Sequence, residues 1–281
     1  MAHQGGGRRI SRPVMHPAIP RRPWQLLLAT LLACAVVTPV VADPREEARA
    51  LVNAKARALF MKHRRAIKAL ESTLRNPSFK AYFMTEDAAQ RTAHQDDIEQ
   101  SILKVQRYFA VEEMCLIDRD GQEVVRMVGG KLDAHLSDSE HQNPFFAPAL
   151  ALSEGDVLVS DVYVSPDTGR WVMAYVTPIA VGGDNVGLLH YEQEVASIAA
   201  ELFEGLGAGQ ALLGFDERGR LLFDSRVGDA LPPSEGTPLP TMIGGLGLQE
   251  IEAAAGSGAP FDGSAVATKG VRGWTLVALQ R

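Results

Sequence analysis

Residues 116–125 read LIDRDGQEVV, which is an apolar run, a four-residue polar turn and a second apolar run. Residues 213–223, LGFDERGRLLF, repeat this pattern about 98 positions later. In both copies an aspartate opens the turn and a glycine follows three positions on, where a tight turn needs backbone freedom. Each copy therefore predicts a β-hairpin. A pattern that occurs twice at so long a spacing predicts two related modules in tandem and not a solenoid.

Further strands are predicted between the two hairpins. They are residues 157–164, 170–179 and 186–194, with turn sequences at 167–169 and 182–185. Their β-branched and aromatic residues, bounded by Gly and Asp, are typical of strands joined by hairpins. Segment 132–152 interrupts these strands and is predicted to be helical around 146–152. The first module is therefore expected to be a five-stranded sheet with an inserted helix.

The second module is expected after a glycine-rich boundary. A predicted helix at about 194–203 ends before Gly205, Gly207 and Gly209, which mark that boundary. Beyond the second hairpin, the sequence predicts a Pro- and Gly-rich excursion at 231–240, a short helix near 246–255, and final strands at 264–269 and 274–279.

Two helices are predicted before the first hairpin. In the first, apolar residues recur at three- and four-residue spacing from Pro44 to about Leu74, which indicates a long amphipathic helix. Asp43 and Pro44 suit its N-cap and first position, and Asn76-Pro77 ends it. The second is expected over Thr92 to Phe109.

The expected fold class is α+β: a long N-terminal helix followed by two modules, each an antiparallel sheet with flanking helices. We place a helical segment at 43–110, one module at 111–205 and the other at 206–281.

The first 42 residues have the features of a secretory signal peptide. Five arginines and no acidic residue precede the apolar stretch 24–42, which ends in Val40-Val41-Ala42. Cleavage is predicted after Ala42, which makes the mature protein periplasmic. The alternative is an uncleaved inner-membrane anchor, since 19 residues just suffice to span a bilayer. A lipoprotein site at Cys34 is disfavoured by the apolar residues that follow it.

The remaining chain is acidic. Without those five arginines, 23 basic residues face 34 acidic ones, a net charge of −11. Such a surface repels phosphate backbones and excludes nucleic acid as an expected partner. After cleavage Cys115 is the only cysteine, so no intramolecular disulfide is expected, and its apolar setting indicates a buried side chain.

Several segments, in order, resemble those of the extracytoplasmic double Cache sensor domains, which are PAS-like. They are Ile117-Asp118-x-x-Gly121-x-Glu123-Val124-Val125-Arg126, residues 143–179 (NPFFAPALALSEGDVLVSDVYVSPDTGRWVMAYVTPI), Val186–Leu189 and Gly273–Val277. The resemblance covers roughly residues 44 to 281. It implies a sensor that binds a small molecule in the first, membrane-distal module, between the sheet and the inserted helix. Family members usually continue into a second membrane span and an output domain, whereas this chain stops at Arg281. We therefore expect a free-standing form that signals through a membrane receptor or sensor kinase.

Strand 170–179 contributes candidate ligand residues. Alternation places Trp171, Met173, Tyr175 and Thr177 on one face, with aromatic bodies and polar tips that suit a pocket. The alternative is that Trp171 and Tyr175 fill the core.

The resemblance implies the other candidates. The amino-acid-binding branch of the family holds the ligand carboxylate with an Arg-x-Trp-Tyr motif and the amino group with an aspartate on the last strand. This chain has Asn143-Pro144-Phe145-Phe146 at the first position, so the guanidinium is missing while Phe146 remains a pocket candidate. Glu192, or Tyr191 in a shifted register, replaces the acid and favours a cationic amine over an amino acid. Tyr163 lies near the family's tyrosine.

Arg126 on a neighbouring strand favours instead a small carboxylate ligand, unless it is an exposed strand-end residue. The expected ligand classes are therefore an amine, an amino acid or a small carboxylate.

No enzymatic, cofactor or metal motif is present. The sequence lacks a Gly-x-Ser-x-Gly elbow, a phosphate-binding glycine loop and an HExxH spacing. His135 and His141 lie in a polar loop, and Asp118–Gly121 lacks the other ligands of a calcium loop. Two alternatives to a soluble ligand sensor stay open. One is a ligand-free interaction module that forms a homodimer through the N-terminal helix, and the other is a single-span anchored sensor.

Overall fold

The computed structural model describes residues 43–107, 109, 111–227, 253, 260–261 and 265–280. The expected signal peptide, the Pro- and Gly-rich excursion and, apart from Ala253, the short helix near 246–255 lie outside the described residues. Residues Ala42–Arg281 group into one compact unit.

Helix α1 is Pro44–Thr73, close to the predicted span. The Asp43 carboxylate accepts a hydrogen bond from the Arg45 backbone N–H at 3.0 Å, and Pro44 occupies the first turn, where a missing N–H costs nothing. No helix among the described residues is long and apolar enough to cross a bilayer.

Two further helices follow α1. Helix α2, Ser78–Met84, was not predicted; it begins directly after Pro77, and the Asn76 side chain accepts the Ser78 N–H at 3.0 Å. Helix α3 is Ala88–Val105. It begins four residues earlier than predicted because Asp87 caps it by accepting the Gln90 N–H at 2.8 Å.

Within the described part of the chain, the first sheet contains seven strands. They are β1 Glu113–Asp118, β2 Glu123–Val128, β3 Lys131–Asp133, β4 Leu158–Val159, β5 Tyr163–Val164, β6 Trp171–Val181 and β7 Asp184–Glu194, with α4 Phe146–Leu150 inserted and α5 Val195–Phe203 following. The strand order is β3-β2-β1-β7-β6-β4, and β5 also pairs with β6. All pairings are antiparallel, and this order places the first and last strands, β1 and β7, side by side at the centre.

The second sheet repeats the design on a smaller scale. Its strands are β8 Gln210–Phe215, β9 Leu221–Asp224, β10 Pro260–Phe261, β11 Ala265–Lys269 and β12 Thr275–Gln280, in the order β10-β11-β12-β8-β9.

The two hairpins predicted from sequence share the same turn chemistry. Asp118 Oδ1 accepts the N–H groups of the residues two and four positions on, each at 2.9 Å, and Asp216 Oδ1 does the same at 3.0 and 2.7 Å. Gly121 and Gly219 adopt φ values of +78° and +76°, a conformation that a side chain disfavours. This equivalence confirms the repeated hairpin.

Each face of the first sheet packs against different elements. One face contacts α1, α3 and α5 and forms the main core, which continues along α1 to the second sheet. The opposite face packs against α4 and forms a smaller cluster around Cys115, Ala174, Val176 and Leu188. Helix α1 contacts β6 as well as β11 and β12, so one helix joins both sheets. The expected α+β, PAS-like fold is confirmed.

Candidate functional site

The sequence-predicted site residues fall on both faces of the first sheet. In the β6–β7 pairing Tyr175 lies opposite Tyr191, whereas Glu192 lies opposite Ala174. Because side chains alternate along a strand, Tyr175 and Glu192 point to opposite faces. The structure therefore places Trp171, Met173 and Tyr175 on the opposite sheet face from Glu192 and does not bring them together.

Trp171, Met173 and Tyr175 belong to the main core on the helix side. The Tyr175 ring stacks on Tyr191 at a centroid distance of 4.9 Å, and its hydroxyl is hydrogen-bonded to His63 Nδ1 of α1. The Arg220 guanidinium lies 5.2 Å from the Trp171 ring centroid. These contacts support the core-filling alternative for this strand face.

The opposite face gathers polar side chains from β1 and β7. Glu113 and Cys115 lie two positions apart on β1 and therefore share one face, as do His190 and Glu192 on β7. The register places Glu113 opposite Glu192 and Cys115 opposite His190. Four buried groups that are able to bind cations or protons thus form two adjacent cross-strand pairs.

Glu192 is held by Tyr163. The Tyr163 hydroxyl donates a hydrogen bond to Glu192 Oε1 at 2.6 Å, and only 4% of Glu192 is exposed. Burial, together with the neighbouring Glu113, raises the pKa of Glu192 to about 8. Burial and the same carboxylates also raise the pKa of Tyr163 far above its usual value. The surroundings of Glu192 and Tyr163 therefore favour a bound cation.

Arg126 lies on this same face but is already engaged by acidic groups. Its guanidinium lies 2.8 Å from Asp167 Oδ2, 3.4 Å from Glu113 Oε2 and 3.6 Å from Glu123 Oε2. The Arg126 side chain is only 11% exposed, so the alternative of an exposed strand-end residue is wrong. Burial still raises the pKa of Glu113 to about 7 despite Arg126. Since carboxyl groups outnumber the one guanidinium, the local field favours a cation over a carboxylate ligand.

Aromatic side chains cover this face from α4 and its preceding turn. The Phe145 ring stacks on the imidazole of His190, with centroids 4.3 Å apart and planes 11° apart, and lies 6.2 Å from Tyr163. Phe146 packs against His141 at 4.8 Å. The predicted Phe146 is thus near the site, but the residue over its centre is Phe145.

A cleft of about 310 Å³ reaches Tyr163 from outside. It is lined by Pro144, Pro148, residues 158–163, Arg218 and Arg272. Its walls come from the turn before α4, from the β4–β5 segment and from the second sheet. The cleft is large enough for a small organic molecule and is lined by Tyr163, whose hydroxyl is bonded to the buried Glu192 behind it.

Sequence reasoning missed Glu113 and His190, and treated Cys115 only as a buried hydrophobe. The available signal was the two-residue spacing in Glu113-x-Cys115 and His190-x-Glu192, which puts each pair on one strand face. Only the antiparallel register of β1 and β7 joins the two pairs.

Solved structures share this architecture. A domain from a Vibrio parahaemolyticus protein assigned to the sensory box/GGDEF family has a TM-score of 0.66 and 14% identity, and the match covers 85% of this chain and 96% of that one. The chain has the fold of extracytoplasmic sensory domains. The ligand-binding domain of the Campylobacter jejuni chemoreceptor Tlp3, solved with 4-methylisoleucine, has a TM-score of 0.61 and 12% identity, covering 85% and 90% of the two chains. The extracellular domain of a protein assigned as a histidine kinase, vpHK1S-Z8, gives a TM-score of 0.65 and 15% identity, covering 88% and 97%.

No protein-family model and no curated protein matches the sequence. The structural likeness confirms the fold that the resemblance to double Cache domains implied.

Within this sensory fold, the β4–β5 segment links the site to the second sheet. Tyr163 of this segment contacts Glu192, as described above. Two positions earlier, Asp161 lies 2.8 Å from Arg272 Nη2 and 3.3 Å from Arg218 Nη2. The Arg220 side chain also donates to the Val162 carbonyl at 3.0 Å. The segment that carries Tyr163 is therefore in direct contact with residues of the second module.

Proposed function

We propose that the protein is an extracytoplasmic sensor that binds a small organic amine at Glu192 and Tyr163 and signals through a membrane receptor or sensor kinase. The ligand site belongs to a membrane-distal module at 111–205, and the module at 206–281 transmits the change.

The buried Tyr163–Glu192 hydrogen bond of 2.6 Å is the observation that carries this proposal. A buried carboxyl group without a cation is costly to ionise, and an ammonium group removes that cost by pairing with it. Three donors on the ammonium suit the oxygens of Glu192 and Tyr163. The ring of Tyr163, beside Phe145, offers an aromatic face to the same cation.

An amine fits better than an amino acid or a small carboxylate. A ligand carboxylate needs a free cationic partner, and Arg126 is already paired with Glu113, Glu123 and Asp167. The Arg-x-Trp-Tyr clamp implied by the resemblance is also absent at 143–146. Tlp3 is solved with 4-methylisoleucine, and we propose for this chain a ligand that lacks the carboxylate.

Signalling requires two conformations that bind the ligand with different affinity. We propose that the amine displaces the Tyr163 hydroxyl from Glu192 and shifts the β4–β5 segment. Asp161 then changes its ion pairs with Arg218 and Arg272, which moves the second sheet relative to that segment. A membrane partner that recognises one arrangement converts ligand binding into a signal.

Thermal-shift measurements on the purified protein with amines, amino acids and small carboxylates test ligand binding. At a ligand concentration 100 times Kd, binding adds about 2.7 kcal/mol and raises Tm by roughly 5 to 10 °C. We expect the shift with amines only, and its loss in Glu192→Gln. The matched control Glu154→Gln removes an exposed carboxylate that pairs with Lys80 and should leave the shift intact. A carboxylate-specific shift, or an amine shift that survives in Glu192→Gln, contradicts the proposal.

We also propose that residues 1–42 form a cleaved signal peptide and that the mature protein is periplasmic. Intact mass of the exported protein tests this, because cleavage predicts a chain that begins at Asp43. A retained N-terminus in the membrane fraction supports the anchored alternative.

A ligand-free dimerisation module is the second candidate function. Phe60 and Met61 on α1 are 45% and 46% exposed, and such neighbouring apolar side chains favour a protein contact. Phe145 also covers His190 directly, so the chain's own side chains fill this part of the sheet face. Sedimentation of wild type and a Phe60→Ser, Met61→Ser variant tests this function. A dimer lost in the variant, with no thermal shift from any ligand class, supports it.

A further inference from the structure

Three potential metal ligands converge on the α4-facing side of the first sheet. A carboxylate oxygen of Glu113, Sγ of Cys115 and a ring nitrogen of His190 all lie within 4.8 Å of one another, and all three residues are buried. Glu113 and Cys115 lie two positions apart on the same face of β1. The antiparallel register brings His190 of β7 directly opposite Cys115. The rigid centre of the sheet therefore presets this spacing.

His190 has no hydrogen-bond partner among the described residues. Neither Nδ1 nor Nε2 is bonded, although only 3% of the residue is exposed. The stacked Phe145 ring fixes the imidazole plane but contributes no donor or acceptor at its edge. A buried polar group without a partner is costly, and the protein's own described groups leave both ring nitrogens of His190 available for coordination.

Cys115 lies beside carboxyl groups. Its Sγ is 3.2 Å from Glu113 Oε1, and Glu123 is a further hydrogen-bond partner. This environment disfavours a reactive thiolate, because burial and both acids raise the thiol pKa well above its usual value. A divalent cation reverses that preference, since thiolate and carboxylate then share the same positive partner.

We propose that Glu113, Cys115 and His190 bind one transition-metal ion of the Zn²⁺ class. Thiolate, imidazole and carboxylate are all zinc ligands, whereas Ca²⁺ and Mg²⁺ prefer oxygen ligands alone. The thiolate and the Glu113 carboxylate balance the two positive charges, and Arg126 keeps its ion pairs with Asp167 and Glu123. On binding, the Cys115 thiol releases its proton to solvent.

This site does not depend on the proposed amine sensor. Glu192 is not one of the three ligands, because its Oε1 accepts the Tyr163 hydroxyl. Glu113 lies opposite Glu192 across the strands, so an ion bound to Glu113 changes the charge that Glu192 faces.

The test uses the purified protein after treatment with EDTA and dialysis. We expect one equivalent of Zn²⁺ to bind in a competition titration against a chromophoric chelator. Co²⁺ should give a thiolate-to-cobalt charge-transfer band in the near ultraviolet, which reports the Cys115–metal bond directly and needs no variant. Absence of both Zn²⁺ binding and the Co²⁺ band in the wild-type protein overturns the proposal.

Variants assign the ligands. Cys115→Ser should abolish the charge-transfer band, and His190→Gln should weaken Zn²⁺ binding by more than about 100-fold, since loss of an outer-shell partner alone costs about 10- to 100-fold. His135→Gln removes an exposed imidazole, 98% accessible, and should change neither readout. Thermal melts establish that each variant folds. A Co²⁺ band that persists in folded Cys115→Ser assigns the ion elsewhere and contradicts the proposal.

The amine titration repeated in EDTA separates the two proposals. An amine shift without any metal binding rejects the metal site alone. A Co²⁺ band without any amine shift rejects the proposed amine ligand alone.

Discussion

Glu192→Gln should make the protein less sensitive to alkaline pH. Burial, with Glu113 opposite on β1 and Asp167 nearby, raises the pKa of Glu192 from 4.5 to about 8, while the Tyr163 hydrogen bond opposes that rise. A group whose folded pKa is raised stabilises the fold below its unfolded pKa and loses that contribution as pH rises through the folded value. The wild type should therefore lose stability at this position between pH 4.5 and about 8.

The magnitude follows from the pKa shift. At about 1.4 kcal/mol per pH unit, the rise from 4.5 to about 8 corresponds to at most about 5 kcal/mol of unfolding free energy. Glutamine has nearly the shape of the protonated acid, keeps an acceptor for the Tyr163 hydroxyl and does not titrate. Its advantage over the wild type should therefore be small at acid pH and reach several kcal/mol above pH 8.

Urea denaturation of both proteins at a series of pH values measures this difference. Acidic groups remote from Glu192 cancel to first order in the comparison, whereas Glu113, its cross-strand neighbour, is coupled to it. Stability curves that run parallel from pH 5 to pH 9 would refute the assignment of a costly buried carboxyl group to Glu192. In the presence of a saturating amine, the wild-type curve should flatten, because the bound cation stabilises the ionised carboxylate.

Three other substitutions follow from the same geometry. Tyr163→Phe should weaken amine binding by roughly 10- to 100-fold in isothermal titration, which is the cost of losing a hydrogen bond to a charged group. Unchanged affinity would show that the hydroxyl does not contact the amine. Tyr175→Phe should lower the free energy of unfolding by about 1 kcal/mol, through loss of the bond to His63, yet leave amine affinity unchanged because it faces the helices. Burial, with Arg272 and Lys62 nearby, lowers the pKa of His63 to about 4. The contribution of the neutral imidazole to the free energy of unfolding is therefore complete above pH 6.5 and is lost as pH falls toward 4. In urea melts, His63→Gln should reduce the fall in unfolding free energy between pH 6.5 and pH 4 by about 3 kcal/mol. An unchanged fall would contradict this assignment.

The hairpins and α1 were predictable because local chemistry specifies them. In each hairpin an aspartate side chain accepts two backbone N–H groups and a glycine adopts positive φ, and both residues can be seen in the sequence. The apolar spacing of α1 is equally visible. Helix α2 was missed because seven residues give too little periodicity to recognise.

The candidate site was predicted only in part, and the reason lies in β6. Alternation correctly grouped Trp171, Met173 and Tyr175, but both faces of this strand are buried. Sequence alone therefore could not tell the face toward α4 from the face toward α1. The pairing of Cys115 with His190, 75 positions apart, depends on the β1–β7 register, which no local pattern specifies.

Isothermal titration of a small primary alkylamine into wild type and Glu192→Gln, both in EDTA, tests the central claim most directly. The account predicts saturable binding at one site in the wild type, weakened by more than about tenfold in the variant, because a buried carboxylate that pairs with the ammonium is removed. Equal affinity in the two proteins, or no binding to the wild type, would contradict it.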